Sequence, residues 1–259
     1  MLKELSIDTI NIYGINIAQV SISKLISHLK VKLLDQNFKG YVTVTGVHGI
    51  IESHKNKNVY QAHRRAYLSI PDGTPLVWYS KLKGSKSIER CFGPAMMHEF
   101  FQKTSNSNLR HFFYGGNEGV AEKLKSNFQS KFDANIVGTY CPPFRPLNSY
   151  EENNLINLIS ETKPHIIWVG LSTPKQEIFM NHYINKLECN LMFGVGAAFD
   201  YHTGKIIVAP KIIQNLGLEW LFRLILEPKR LYKRYFEIVP KFIILIFNEL
   251  ILKKHKEKL

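Results

Sequence analysis

The sequence is short of acid. Its 259 residues hold 21 Asp and Glu against 34 Lys and Arg, a formal net charge of +13. That surplus predicts an anionic partner: nucleic acid, anionic lipid or a phosphorylated substrate. Cysteine is scarce as well. Cys91, Cys141 and Cys189 are odd in number, far apart and form no C-x-x-C pair. This excludes a disulfide framework and fits buried, inert thiols in a reducing compartment. No D-x-D occurs, so the carboxylate pair that holds a divalent ion in many sugar-nucleotide enzymes is missing, and the ten His show no H-x-x-x-H spacing. Neither a metal nor a cofactor is expected. There is no G-x-S-x-G elbow, no Walker A loop and no G-x-G-x-x-G. Nucleic-acid modules with their aromatic and basic signatures are absent, which removes nucleic acid from the candidate partners. The start, MLKELSIDTINIYG, has no long apolar core and no small-residue cleavage site, and does not read as a signal peptide.

What is present is a globular composition, 45% hydrophobic and 21% charged. The length corresponds to about 1.7 domains of ordinary size, one large domain or a domain with an appendage. Short apolar runs alternate with amphipathic stretches over the first two hundred residues. Strands are predicted at 6–13, 40–45, 67–70, 110–115, 134–140, 164–170 and 190–195. Helices are predicted near 22–35, 57–66, 74–83, 94–105, 117–131, 149–161 and 174–186. Ser21 or Ser23 would cap the first helix, and Asn117 would open the fifth. Such alternation predicts an α/β fold: a Rossmann-like, mostly parallel sheet with flanking helices. Ligands of such sheets bind beyond the carboxyl ends of the strands, so the motifs there carry the chemistry.

From about residue 209 the pattern becomes helical only. The last 55 residues, from Lys205, contain 12 Lys and Arg against 5 Asp and Glu. The expected organisation is a catalytic domain over 1–204 and a basic helical appendage over 205–259. Pro210 and Pro228 suit helix starts, and Pro240 is a candidate kink. The apolar stretch Ile238–Leu252 is too short and too interrupted to span a bilayer, which needs about 20 apolar residues. Flanked by basic clusters, it reads either as a helix lying in a membrane interface or as a helix docked on the domain or a second subunit.

Five strand-end motifs are candidates. TVTGVHG (43–49) places Thr43 and Thr45 before a glycine turn that lets a ligand approach the backbone. In IPDGTPLVW (70–78), Asp72 is either turn chemistry or a carboxylate placed to take a proton from a substrate hydroxyl. FFYGGNEGV (112–120) offers Gly115, Gly116 and Asn117 as a phosphate cradle at a helix start. WVGLSTPKQE (168–177) offers Gln176 to a sugar hydroxyl, and Lys175 either to the ligand or to solvent. GVGAAFDYHTG (194–204) brings Gly194 and Asp200.

Together with RCFGP (90–94), GTYCPPFRP (138–146) and GLEWLFRLILEPKRLYKRY (217–235), these motifs, in this order, resemble the WecG/TagA/CpsF family of bacterial glycosyltransferases. The match runs over about residues 5–235. The resemblance implies inverting, metal-independent transfer from a UDP-sugar to a polyprenyl-diphosphate-linked acceptor, in the synthesis of teichoic acid, common antigen, capsule or exopolysaccharide. It implies Asp72 as the general base, with Thr43 or Thr45 lining the pocket where relatives carry T-x-N. It places the P-K-Q-E glutamine on Gln176. It also implies that Arg223, Arg230 and Arg234 close over the diphosphate from a membrane-binding appendage. The location that follows is peripheral, on the cytoplasmic face of the membrane, and a homo-oligomer is left open.

Overall fold

A computed structural model describes residues 6–256, with the side chains of residue 215 and of residues 250–256 outside the description. The basic cluster that ends the chain, Lys253 to Lys258, therefore lies outside the described side chains.

Eight strands form one sheet: β1 Thr9–Ile12, β2 Ile15–Ala18, β3 Gly40–Thr45, β4 Leu68–Pro71, β5 His111–Gly115, β6 Ile136–Tyr140, β7 Ile166–Gly170 and β8 Leu191–Gly194. The order is β1-β2-β4-β3-β8-β7-β5-β6, and every pairing is parallel except β1 with β2. The expected strand over 6–13 is thus half of a hairpin. Tyr13 and Gly14 both take positive φ, 52° and 82°, the two-residue turn whose twist suits a hairpin.

Twelve helices cover the described residues: α1 Ile22–Lys32, α2 Val47–Lys55, α3 Lys57–Arg65, α4 Thr74–Leu82, α5 Gly93–Thr104, α6 Val120–Phe132, α7 Ser149–Thr162, α8 Lys175–Tyr183, α9 Ala198–His202, α10 Lys211–Asn215, α11 Glu219–Leu226 and α12 Pro228–Lys256. Ser21 caps α1 by accepting from the Lys24 N–H. Asn117 does not open α6; Gly119, left-handed at φ 74°, is its N-cap, and Asn117 only accepts from the Val120 N–H through its carbonyl. The sequence reading passed over α2 and α9, both short and lacking a side-chain cap.

Alternate residues of each central strand feed opposite faces, as buried parallel strands must. Val42, Val44, Phe113, Trp168 and Phe193 meet α1, α5 and α6 on one face. Tyr41, Phe112, Tyr114, Ile167 and Met192 meet α7 and α8 on the other. A third cluster gathers the β1–β2 hairpin, Ile50 and Ile51 of α2, and Leu76, Val77 and Tyr79 of α4.

The appendage helix α12 completes that third cluster with Ile238 and Phe242, both buried. Its docked residues Leu231, Ile238, Phe242 and Glu249 recur at helical spacing and form one stripe. Glu249 accepts from Tyr79 and Lys83 of α4, and Glu237 pairs with Lys55 of α2 at 2.5 Å. The helix runs on through Pro240. A second stripe, Tyr232, Phe236, Val239, Ile243 and Phe247, recurs at the same spacing but stays exposed. Among the described residues no helix is long and apolar enough to cross a membrane.

Candidate active site

A cavity of about 560 Å³ opens at the carboxyl ends of β4, β3, β8 and β7. This is where a doubly wound sheet is expected to bind. The amino ends of α2 (Gly46–His48), α4 (Gly73–Pro75) and α8 (Thr173, Gln176) line it, so backbone N–H groups and helix dipoles favour an anion there. Its remaining walls come from residues 90–94, residues 195–201, α11 and α12.

Asp72 follows β4 directly. Its backbone N–H donates to the Thr45 carbonyl at 2.8 Å, which ties the end of β4 to the end of β3. Gly73, at φ 86°, then turns the chain into α4. A Cβ at Gly46 would sit 3.8 Å from the Asp72 carboxylate, so the missing side chain leaves that carboxylate open to the cavity. Burial pushes the Asp72 carboxyl up to about 6; the Arg90 and Arg223 charges oppose this shift and Glu219 adds to it.

Four arginines line the same cavity as Asp72: Arg90, Arg223, Arg230 and Arg234. Arg90 pairs with the buried Glu219 at 2.5 Å, and Tyr201 donates to the other Glu219 oxygen at 3.3 Å. Arg230 pairs with Glu227 at 2.5 Å, and Arg223 approaches the same carboxylate at 3.6 Å. The Nε atoms of Arg90 and Arg223 are buried without a partner among the described residues. Burial and the neighbouring Arg230 and Arg223 lower the pKa of Arg234. A partly buried cluster of like charge with two unspent Nε–H donors favours an anion. His48, on the α2 rim, is pushed down to about 4 by burial and Arg234, and is neutral at pH 7.

Gln176 lies in the first turn of α8 and is 3% exposed. Its Nε2 donates to Glu177 at 3.1 Å, while its Oε1 has no partner among the described residues. Among the described residues no three His, Cys, Asp or Glu side chains stand together as metal ligands.

Asp72, Gln176, Arg223, Arg230 and Arg234 are therefore brought together. The other expected residues are placed differently. Thr43 and Thr45 do not line the cavity, because they face the other side of β3. Their hydroxyls meet at 2.9 Å and form a buried cluster with Ser69, at 2.8 Å from Thr43, and His63. Gly115 and Gly116 do not cradle a ligand in this cavity. A Cβ on Gly115 would lie 2.8 Å from the Gly170 backbone, and the Gly116 N–H donates to the Gly170 carbonyl at 3.1 Å. These glycines let β5 and β7 end in contact. Gly194 has a similar role, its absent Cβ leaving room for Met180, and Gly196 lines the cavity in its place. Asn117 and Lys175 are exposed outside the cavity, Lys175 standing 3.9 Å over the Phe144 ring. Asp200 lies beyond the wall, where its neighbour Tyr201 lines the cavity.

The sequence reading gave no role to Arg90, His48, Glu219 or Glu177. All four sit inside motifs it singled out: RCFGP, TVTGVHG, GLEWLF and PKQE. The signal available was a charged or polar residue inside a motif of the family resemblance.

Comparison with known proteins agrees with this geometry. The profile of the Glycosyl transferase WecG/TagA/CpsF family matches residues 10–256. An N-acetylglucosaminyldiphosphoundecaprenol N-acetyl-beta-D-mannosaminyltransferase of Bacillus spizizenii is 25% identical over 222 residues, 86% of this chain and 84% of the relative. The Bacillus subtilis protein of the same name is 24% identical over 242 residues, 93% and 92% of the two chains. With the profile covering nearly the whole length, the chain belongs to the WecG/TagA/CpsF family of glycosyltransferases.

Proposed function

We propose that this glycosyltransferase moves a sugar, an N-acetylhexosamine or a hexose, from a UDP-sugar to a polyprenyl-diphosphate-linked acceptor, with inversion at the anomeric carbon. The product would enter a bacterial cell-surface polysaccharide or teichoic acid. The observation that carries this reading is the single cavity shared by the Asp72 carboxylate and four arginines. Asp72 takes the proton from the acceptor hydroxyl as that oxygen attacks the anomeric carbon on the face opposite the diphosphate. Arg223, Arg230 and Arg234, with the helix amino ends, stabilise the charge that develops on the departing diphosphate. With that charge met by arginines, the scheme requires no metal. Thr43 and Thr45 act from behind, holding the ends of β3 and β4 through their hydroxyl cluster. The uridine end would extend past the cavity wall toward Asn117 after β5, Lys175 at the start of α8 and Asp200 of α9.

Trp78 and Leu82 of α4 face Val239, Ile243 and Ile246 of α12 across the apolar end of the cavity. An amphiphile with a diphosphate head matches this pairing of arginines with an apolar trough. The relatives' names, which give an N-acetylglucosaminyl-diphosphoundecaprenol acceptor and an N-acetylmannosaminyl product, support the same class of substrates. The exposed α12 stripe and the basic appendage support a peripheral position on the cytoplasmic face of the membrane.

The test is a panel of UDP-sugars offered with a GlcNAc-diphosphoprenol acceptor, the product read by mass spectrometry and its anomeric configuration by NMR. Transfer with inversion is expected. A retained configuration, or no transfer from any UDP-sugar, overturns the proposal.

A further inference from the structure

The two long walls of the cavity differ in hydrogen-bond character. The arginine wall is dominated by donors, its four guanidinium groups outnumbering the Glu219 carboxylate. On the opposite wall one buried carboxylate fixes the polarity. Glu177 is fully buried at the start of α8 and is not itself on the cavity surface. Its Oε1 accepts from the Thr173 hydroxyl at 2.9 Å and from the Gln176 amide at 3.1 Å. Both donors line the cavity. Thr173 spends its one hydroxyl hydrogen on Glu177 and Gln176 one of its two amide hydrogens, which leaves the Thr173 lone pairs and the Gln176 amide oxygen as acceptors. Gln176 Oε1 is buried with no partner among the described residues, and an ideal Cβ on Gly196 would stand 3.5 Å from it. That glycine leaves the approach to the amide oxygen open.

We infer that Glu177 is a positioning residue that holds Gln176 and Thr173 as acceptors, so that this wall takes a ligand group rich in hydrogen-bond donors: the hydroxyls or acetamido N–H of the transferred sugar. The assignment does not depend on whether Glu177 is ionised. Ionised, or carrying its proton on Oε2, Glu177 offers Oε1 only as an acceptor, and the amide NH2 then faces it. A site built this way rejects a sugar that lacks the matching donor, because the acceptor is then left buried and unpaired. The inference about the sugar rests on the UDP-sugar reading above; the hydrogen-bond lock itself does not.

Two measurements separate these parts. In the ligand-free protein, the Gln176 side-chain NH2 should exchange slowly with solvent in the wild type. It should exchange at least tenfold faster in Glu177→Met. Equal exchange in both overturns the lock, whatever the donor proves to be. With substrates, Glu177→Gln, which keeps an acceptor oxygen at this position, should change KM less than twofold, while Glu177→Met should raise KM for the UDP-sugar about tenfold and change kcat less than twofold. Affinity for UDP alone and the unfolding midpoint should stay at wild-type values. On a Gln176→Met background the same change should add less than twofold. If UDP affinity falls as far as UDP-sugar affinity, or the two substitutions multiply, Glu177 does not act through the Gln176 amide on the sugar. If the wild type binds no UDP-sugar while the exchange difference holds, the lock stands and the donor reading fails.

Discussion

Arg90 and Glu219, 129 positions apart, pair at 2.5 Å beside Asp72. Their charges act on that carboxyl in opposite directions, Arg90 lowering its pKa and Glu219 raising it. Burial is thus left to set the value near 6, where a carboxylate is ionised at neutral pH yet still basic enough to take a proton. Glu219→Gln should move the acidic limb of kcat/KM to lower pH, and Arg90→Met should move it to higher pH. Profiles for the wild type and both variants that share one limb would remove Asp72 from the role of base.

Asp72→Asn should lower kcat by a factor on the order of 10³, in the middle of the range for losing a general base. It should also stabilise the fold. Because the folded pKa of Asp72, about 6, lies above its ordinary value of 3.8, the folded chain holds the proton more tightly than the unfolded one. Stability from this group is present at low pH and declines as pH rises from about 4 to about 6. At pH 7.5 the Asn variant should exceed the wild type by about 1–3 kcal/mol, and at pH 3.5 the difference should vanish. Urea unfolding at the two pH values measures it.

Arg234 illustrates the same tension between function and stability. It lies partly buried among arginines that lower its pKa. Arg234→Met should leave ligand-free stability unchanged or improve it, while kcat falls about 10²-fold. Lysine at this position should restore only part of the rate, because one ammonium cannot present a guanidinium fork to a diphosphate. Thermal shifts with and without UDP separate the two effects.

The two stripes of α12 should respond differently. Phe242 is buried in the third cluster, and Phe242→Ala should cost about 2–4 kcal/mol. Phe236 and Phe247 are 84% and 63% exposed, so replacing both with Ser should not lower the melting temperature. It should reduce sedimentation with anionic vesicles severalfold. Unchanged vesicle binding would show that the exposed stripe serves some other surface, such as a second copy of the chain.

Much of this was legible in the sequence because parallel strands buried on both faces leave continuous apolar runs. HFFYG, IIWVG and LMFG became β5, β7 and β8 with small shifts of their ends. What stayed hidden depended on close approach in three dimensions. Gly115 and Gly116 look the same in sequence whether they admit a phosphate or the Gly170 backbone. Thr43 and Thr45 sit at the right strand end, but the two-residue period of β3 turns both toward His63 and away from the cavity. The choice between a membrane helix and a docked helix resolves into two neighbouring stripes on α12, one occupied by the domain and one open. Arg90 and Glu219 could not be paired from sequence, since their contact forms only when α11 folds back over β4.

The Arg90–Glu219 contact also bears on the order of synthesis. A ribosome makes Asp72 early and makes Glu219, Arg223, Arg230 and Arg234 within the last fifth of the chain. Until α11 and α12 have emerged, the sheet of a nascent chain carries its base but only Arg90 of the four arginines. A premature stop between β8 and Arg223 would leave that half-built site, so the cavity is completed only after the whole sheet has been made.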